Sequence, residues 1–171
     1  MVKRYDSDKV KALVHKIYKA YGFTEKQSSA VAETLIYTDL HGIASHGVQR
    51  MVMYDHFIQN GKIRVQSKPE VVKETDVSAV VDANFGLGQL NGIYSMNIAI
   101  KKAKAHGVGI VTTRHSGHYG IAGYYANMAA DQGLIGLSST NSRPAMLPTH
   151  ATQAFVGTNP IAFAMPAKPH N

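Results

Sequence analysis

The strongest constraint on this fold is a change of period at Pro69: before it apolar residues recur at helical spacing, and after it short apolar runs alternate with helical stretches. Val10, Leu13, Val14, Ile17, Tyr18 and Tyr21 mark one face of a helix over residues 8–21, stopped by Gly22. Thr24 with Gln27 three residues on resembles a capping box. It opens a second helix with an inner stripe of Ala30, Val31, Thr34, Leu35 and Thr38, interrupted at Gly42. Ser45 stands where an N-cap belongs, and the spacing predicts a third helix from His46 to Gly61.

Beyond Pro69, VSAVVDA reads as a strand, QLNGIYSMNIAIKKAKAHG as a helix and VGIVTT as a buried strand. GIAGYYANMAADQG then reads as a helix, with LIGLSST and PIAFAMP as strands. Two strands flanking a helix, with about 20 residues between them, fit a right-handed parallel crossover. The predicted class is therefore α/β (α+β), with a helical part over residues 1–68 and an α/β part over 69–171. STNSRP, residues 139–144, follows a strand and is expected on the same sheet edge as the loop at 112–123. The ending FAMPAKPHN stops just after a strand without a closing helix, so the chain reads as the N-terminal piece of a longer protein.

The absence of cysteine removes disulfides, thiolate catalysis and thiolate metal sites together. No run of about 18 apolar residues occurs, and MVKRYDSDKVKAL lacks the apolar core of a secretory signal. A cytoplasmic protein without a membrane partner is expected. The net charge of +7 gathers partly on the first helix, at Lys3, Arg4, Lys9, Lys11, Lys16 and Lys19. These alternate with apolar positions and read as a solvated face. A basic nucleic-acid-binding module is the alternative from another class, although aromatic residues do not interleave with the lysines.

On a helix starting at His46, residues 46, 50 and 54 are successive i+4 neighbours, so His46, Arg50 and Tyr54 form a polar stripe with Ser45 at its head. A titratable ring, a fork suited to a carboxylate and a phenol then lie within one ligand's reach. Spacing alone leaves a solvated polar face open. The segment TTRHSGHYGIAG, residues 112–123, lies after a predicted parallel strand and before a helix, at the usual ligand crevice of open α/β sheets. It carries His115 and His118, suited to general acid–base work or simply surface residues. A metal is not expected, because no third ligand accompanies the His-x-x-His pair. GLGQLNG, residues 86–92, has one residue too many before its last glycine and no acidic partner about 20 residues on, so it reads as a strand-to-helix turn and not a Rossmann fingerprint.

Taken in order, DLHGIASHGVQR, GLGQ, HSGHYGIAGYYA, SSTNSRP and GTNPIAFAMP resemble the malate/L-lactate dehydrogenase family. This nicotinamide-dependent group also holds ureidoglycolate, sulfolactate and diketogulonate dehydrogenases and cyclic-imine reductases. The resemblance implies a helical part joined to a non-Rossmann, mixed-sheet cofactor-binding part, a homodimer, and NAD or NADP as cofactor. It implies hydride transfer to a small 2-oxo acid or from a 2-hydroxy acid, malate or L-lactate first. Ser45, His46, Arg50 and Tyr54 would contact the substrate, with Arg50 gripping its carboxylate. His118 matches the proposed proton donor and acceptor, a role some members assign to the histidine matching His46. Ser142, Thr158 and Asn159 match positions lining the nicotinamide. Family chains continue through further segments that complete the cofactor site.

Overall fold

The computed structural model describes residues 3–167 and divides the chain into two compact units, 1–121 and 122–171. Residues 168–171 of the FAMPAKPHN ending lie outside the described residues.

The first unit begins with two packed helices. α1 (Ser7–Ala20) starts where the Asp6 carboxylate accepts the Lys9 backbone N–H at 2.9 Å. α2 (Glu25–Leu40) has the capping box read from the sequence. The Thr24 hydroxyl accepts the Gln27 N–H at 3.3 Å, and the Gln27 side chain accepts the Thr24 N–H at 2.9 Å. Two donors that a helix start leaves orphaned are thereby satisfied. The core gathers Val14, Tyr18, Phe23, Val31, Ala32 and Leu35 with Tyr54, Ile63 and Leu87 from later segments. Leu13, placed in the apolar stripe by its spacing, is exposed. Ser28, Ala32 and Ile36 of α2 are buried as well, so α2 is covered over much more than one stripe. Lys11 pairs with Glu33, and Lys19 with Glu25 at 3.3 Å, so part of the basic face of α1 is answered by α2.

The third helix is shorter than its spacing predicts. Residues Ala44–His46 and Val48–Arg50 form two single 3₁₀ turns, and α3 runs only over Met51–Gln59. Asp39, near the end of α2, is the cause. Its carboxylate accepts the Val48 backbone N–H at 2.9 Å and lies so close to Gly47 that a Cβ there would meet it at 1.9–2.5 Å. A side chain at 47 would have to push the Asp39 carboxylate away from Val48, and the extended ψ of −145° at Gly47 breaks the helix at that point. Ser45 is accordingly not an N-cap; its hydroxyl contacts Nδ1 of His46 at 2.9 Å instead.

β1 (Glu70–Glu74) pairs antiparallel with β2 (Ser78–Asp82), with an irregularity between Val71 and Lys73. β2 pairs parallel with β3 (Ile110–Arg114) in the register Ser78↔Ile110 to Asp82↔Arg114. α4 (Gly88–His106) makes the expected crossover between them and ends at Gly107, whose φ of +85° provides the left-handed stop. β1 escapes a periodicity reading because EVVKE is exposed at every position but one. β3, read as buried, lies at the sheet edge with Ile110 58% exposed.

In the second unit, α5 (Ala122–Ala130) packs on a hairpin of β4 (Gly136–Ser139) and β5 (Ile161–Ala164), paired antiparallel from Gly136↔Ala164 to Ser139↔Ile161. β4 pairs with β5, not with β3, so STNSRP follows a strand of a separate two-stranded sheet and does not share the edge of the 112–123 loop. Among the described residues no helix is long and apolar enough to cross a membrane.

Candidate functional site

Where β2 and β3 end, their loops remain joined. The Ala83 N–H donates to the Arg114 carbonyl at 3.0 Å and the Phe85 N–H to the His115 carbonyl at 2.8 Å. Three non-glycine residues take left-handed conformations here: Asn84 (φ +49°), Phe85 (φ +61°) and His115 (φ +51°). Such strain persists only where surroundings enforce it. Asp82 provides much of that enforcement. Its buried carboxylate accepts the Asn84 backbone N–H at 2.9 Å, the Arg114 Nε–H at 2.8 Å and the His115 ring at 3.0 Å. The backbone bond from Asn84 is the first cause that draws its pKa down to about 2, with the His115 and Arg114 bonds acting in the same direction. His115, stacked on Phe85 with ring centroids 4.9 Å apart, is thus a framework residue.

His118, three residues on, points elsewhere. Its Nδ1 lies 2.7 Å from the Tyr54 hydroxyl and accepts the Gly120 backbone N–H at 3.3 Å. Because a backbone N–H only donates, Nδ1 carries no proton in this arrangement, and the neutral ring holds its hydrogen on Nε2. His46 stacks against the same ring, centroids 5.3 Å apart and planes 24° from parallel. Arg50 donates through Nε to the Ser45 carbonyl at 2.5 Å, which ties the guanidinium back to the 3₁₀ turns. Ser45, His46, Arg50, Tyr54 and His118 therefore converge within the first unit, although the first three sit on 3₁₀ turns and not on one continuous helix.

Electrostatics follow from this crowding. Burial first, then the neighbouring His46 and Arg50, lower the pKa of His118 to about 4. His46 is lowered by burial and by Arg50. Tyr54, buried in the core, has its pKa raised by that burial, so its hydroxyl stays protonated and available as a donor. The result is a half-buried cluster with one fixed cation and two histidines held toward neutrality, an environment that favours an anion.

Ser142, Thr158 and Asn159 lie in the second unit and form their own cluster. The Ser142 N–H donates to Asn159 Oδ1 at 2.8 Å, and the Ser142 and Thr158 hydroxyls are 3.2 Å apart, all three residues being exposed.

Four contributors escaped sequence reasoning: Asp39, Asp82, Gly88 and Gln89. Gly88 opens α4 against the His118 loop, where a Cβ would sit 2.3 Å from the His118 carbonyl oxygen. Gln89 beside it is fully buried. Both belong to the GLGQ stretch, whose signal is a polar residue set between leucines at a helix start.

Residues 5–171 match the family described as malate/L-lactate dehydrogenase. Over 165 residues the chain is 46% identical to the malate dehydrogenase of Pyrococcus horikoshii, covering 96% of this chain and 46% of that protein. Over 154 residues it is 42% identical to the L-sulfolactate dehydrogenase of Methanocaldococcus jannaschii, covering 90% and 45%. The solved malate dehydrogenase structure from Pyrococcus horikoshii aligns with a TM-score of 0.94 at 45% identity, over 97% of this chain and 48% of that one. The chain spans about half the length of the curated relatives it matches.

Proposed function

The chain belongs to the malate/L-lactate dehydrogenase family, and from that premise we propose an oxidoreductase that moves hydride between NAD or NADP and C2 of a small 2-oxo or 2-hydroxy acid. Malate and L-lactate are the first candidates. The observation that carries this reading is the Tyr54–His118 hydrogen bond beside Arg50 and His46: a titratable ring held by a phenol next to a cation suited to a carboxylate.

Arg50 grips the substrate carboxylate and turns C2 and its oxygen toward His118, with Ser45 and His46 alongside. Placing that carboxylate beside Arg50 offsets one of the charges that hold His118 neutral, so the ring gains proton affinity when substrate arrives. Bound NADH or NADPH supplies the hydride. As C2 is reduced, negative charge grows on its oxygen, and a protonated His118 delivers the proton from Nε2, leaving a neutral ring whose remaining hydrogen sits on Nδ1 and is donated to the Tyr54 hydroxyl oxygen. In the reverse direction Nε2 takes the hydroxyl proton from that Nδ1–H form of the ring, the opposite tautomer to the one that accepts the Gly120 N–H. His46, stacked on His118, is the second candidate for this role.

Ser142, Thr158 and Asn159 fit the nicotinamide side, since their exposed hydroxyls and amide combine donors and acceptors suited to a carboxamide. On this reading residues 1–68 serve the substrate and 69–171 the cofactor, in a cytoplasmic homodimer. The test is turnover by the full-length gene product. NADH and then NADPH are offered with oxaloacetate, pyruvate, sulfopyruvate, oxalurate and a cyclic imine, and loss of reduced-nicotinamide absorbance is followed. Turnover of one 2-oxo acid is expected; turnover of the imine alone moves the reading to a reductase, and absence of cofactor binding discards it.

A further inference from the structure

The chain contains two Asn–Gly pairs, Asn60–Gly61 and Asn91–Gly92, and the fold holds them in opposite ways. Such a pair has a chemistry of its own. The backbone nitrogen of the glycine can attack the asparagine side-chain carbonyl and close a succinimide ring, because no Cβ shields that nitrogen and the glycine backbone turns freely. How firmly the surroundings fix the two residues decides whether the ring closes.

Asn91 stands in the first turn of α4, 1% exposed. Its backbone N–H donates to the Leu87 carbonyl at 3.2 Å and its side-chain amide to the Ser116 hydroxyl at 3.3 Å, while Gly92 continues the helix. Ring closure there would have to break into α4. Asn60, by contrast, is exposed at the C-terminal end of α3, and Gly61 after it (φ +74°) has open space where a Cβ would stand. The Asn60 Oδ1 accepts the Lys62 backbone N–H at 3.2 Å. That bond draws electron density from the side-chain carbonyl, and it closes a ring of atoms that contains the Gly61 nitrogen, so the electrophilic Cγ is kept near its attacker. Two restraints oppose the reaction: the Asn60 ψ of 10°, which must rotate, and the Gly61 N–H bond to the Ile58 carbonyl at 3.1 Å. Both belong to an exposed helix end, the part of a helix that opens at least cost.

We propose that Asn60 is a site of spontaneous deamidation, converted to aspartate or isoaspartate while the fold protects Asn91. The Gly61 N–H gives its proton to solvent base, the nitrogen bonds to Asn60 Cγ, and Nδ2 leaves as ammonia. Water then opens the imide. Cleavage of the new bond gives aspartate, and cleavage of the original peptide bond leaves the chain running through Cγ as isoaspartate. The net change is an amide and water becoming a carboxylic acid and ammonia, with nothing oxidised or reduced. Either product puts an anion at the C-terminal end of α3, where the helix dipole disfavours it. Isoaspartate also inserts a backbone atom inside the closure made by the Ile63 N–H bond to the Phe57 carbonyl at 2.9 Å, which seats the buried Ile63. Ageing at residue 60 therefore loosens the end of the helix that carries Tyr54.

The experiment incubates the full-length gene product at mildly alkaline pH, below its melting midpoint, beside a sample in guanidinium chloride. Proteolytic peptides are followed by mass spectrometry for the gain of about 1 Da that replaces an amide by an acid, and isoaspartate by enzymatic carboxyl methylation. In the folded protein residue 60 is expected to convert at least roughly tenfold faster than residue 91, whose reaction waits for α4 to open, and the two rates should converge in denaturant. A residue 60 that keeps its amide in the folded protein, or a folded-state ratio below about tenfold, overturns the proposal. The melting midpoint of aged wild type is expected to fall below that of fresh protein, whereas Asn60→Gln, whose longer side chain disfavours ring closure, should age without that fall. Equal falls in both overturn the link to α3. The conversion rates are read on wild type alone, so they decide the proposal even where Asn60→Gln does not fold.

Discussion

Adding one methyl group at Gly88 tests whether helix α4 sets the position of His118. An alanine Cβ there would lie 2.3 Å from the His118 carbonyl oxygen and 2.5 Å from that of Gly117, whereas ordinary contact begins at 3.4 Å. The colliding atoms are backbone, so no flexible side-chain end can give way. On its other side the loop is held by the Phe85–His115 and Ala83–Arg114 backbone bonds, so the displacement of about 1 Å falls on residues 117–120. The 2.7 Å Tyr54–His118 bond then stretches beyond the about 3.2 Å limit of a good hydrogen bond. Misplacement of this size costs on the order of 10²-fold in rate, and overpacking costs about 1–3 kcal/mol of stability. The assay is kcat of the full-length protein with its thermal midpoint, beside a Gly123→Ala control. Gly123 lies in α5 with open space around its missing Cβ, so its alanine should leave kcat within about twofold and gain up to about 1 kcal/mol. A Gly88→Ala protein retaining kcat within about twofold of wild type refutes the reasoning.

Three further outcomes are expected. Arg50→Ala should raise KM for carboxylate substrates roughly 10²-fold while leaving cofactor affinity within about twofold, and an unchanged KM removes the carboxylate grip. For stability against pH, the His118 pKa falls from the ordinary 6.5 to about 4, so between those values the unfolded chain binds the proton first and stability drops as pH falls. The full shift is worth about 3 kcal/mol, reduced to about 1–2 kcal/mol because the ring is only half-buried; the drop should flatten in His118→Gln when melts are compared from pH 7 to 4. Asp39→Ala leaves the Val48 N–H uncapped and should cost about 1 kcal/mol in melting while raising KM, since the turns carrying Ser45 and His46 loosen; a change in stability with KM untouched separates the turn from the site.

Helices and the parallel crossover could be read from sequence because their causes are local: the spacing of Val14 and Tyr18, the Thr24–Gln27 box, and Gly107 after α4. What escaped depends on partners far along the chain. Asp39 interrupts the third helix by reaching Gly47 and Val48, and no periodicity in residues 46–61 reports it. VGIVTT looks buried by composition, yet its exposure depends on which strands lie beside it, as does the separate pairing of β4 with β5. The site residues Ser45, His46, Arg50, Tyr54 and His118 were readable as a set of chemical types, whereas the separation of His115 from His118 required Asp82 and Phe85. The reading of GLGQLNG as a strand-to-helix turn fits the start of α4 at Gly88, but it reports neither the close approach of Gly88 to the His118 loop nor the burial of Gln89.

The Tyr54–His118 bond joins residues 64 positions apart, while α1 and α2 meet across the short turn at residues 21–24. Contacts at short separation form early in folding, and those that close long loops wait until the chain between them is ordered. The helical hairpin closes a loop of a few residues, whereas the Tyr54–His118 pair closes one that contains β2, α4 and β3. On the ribosome the pair therefore cannot form before residue 118 has been synthesised.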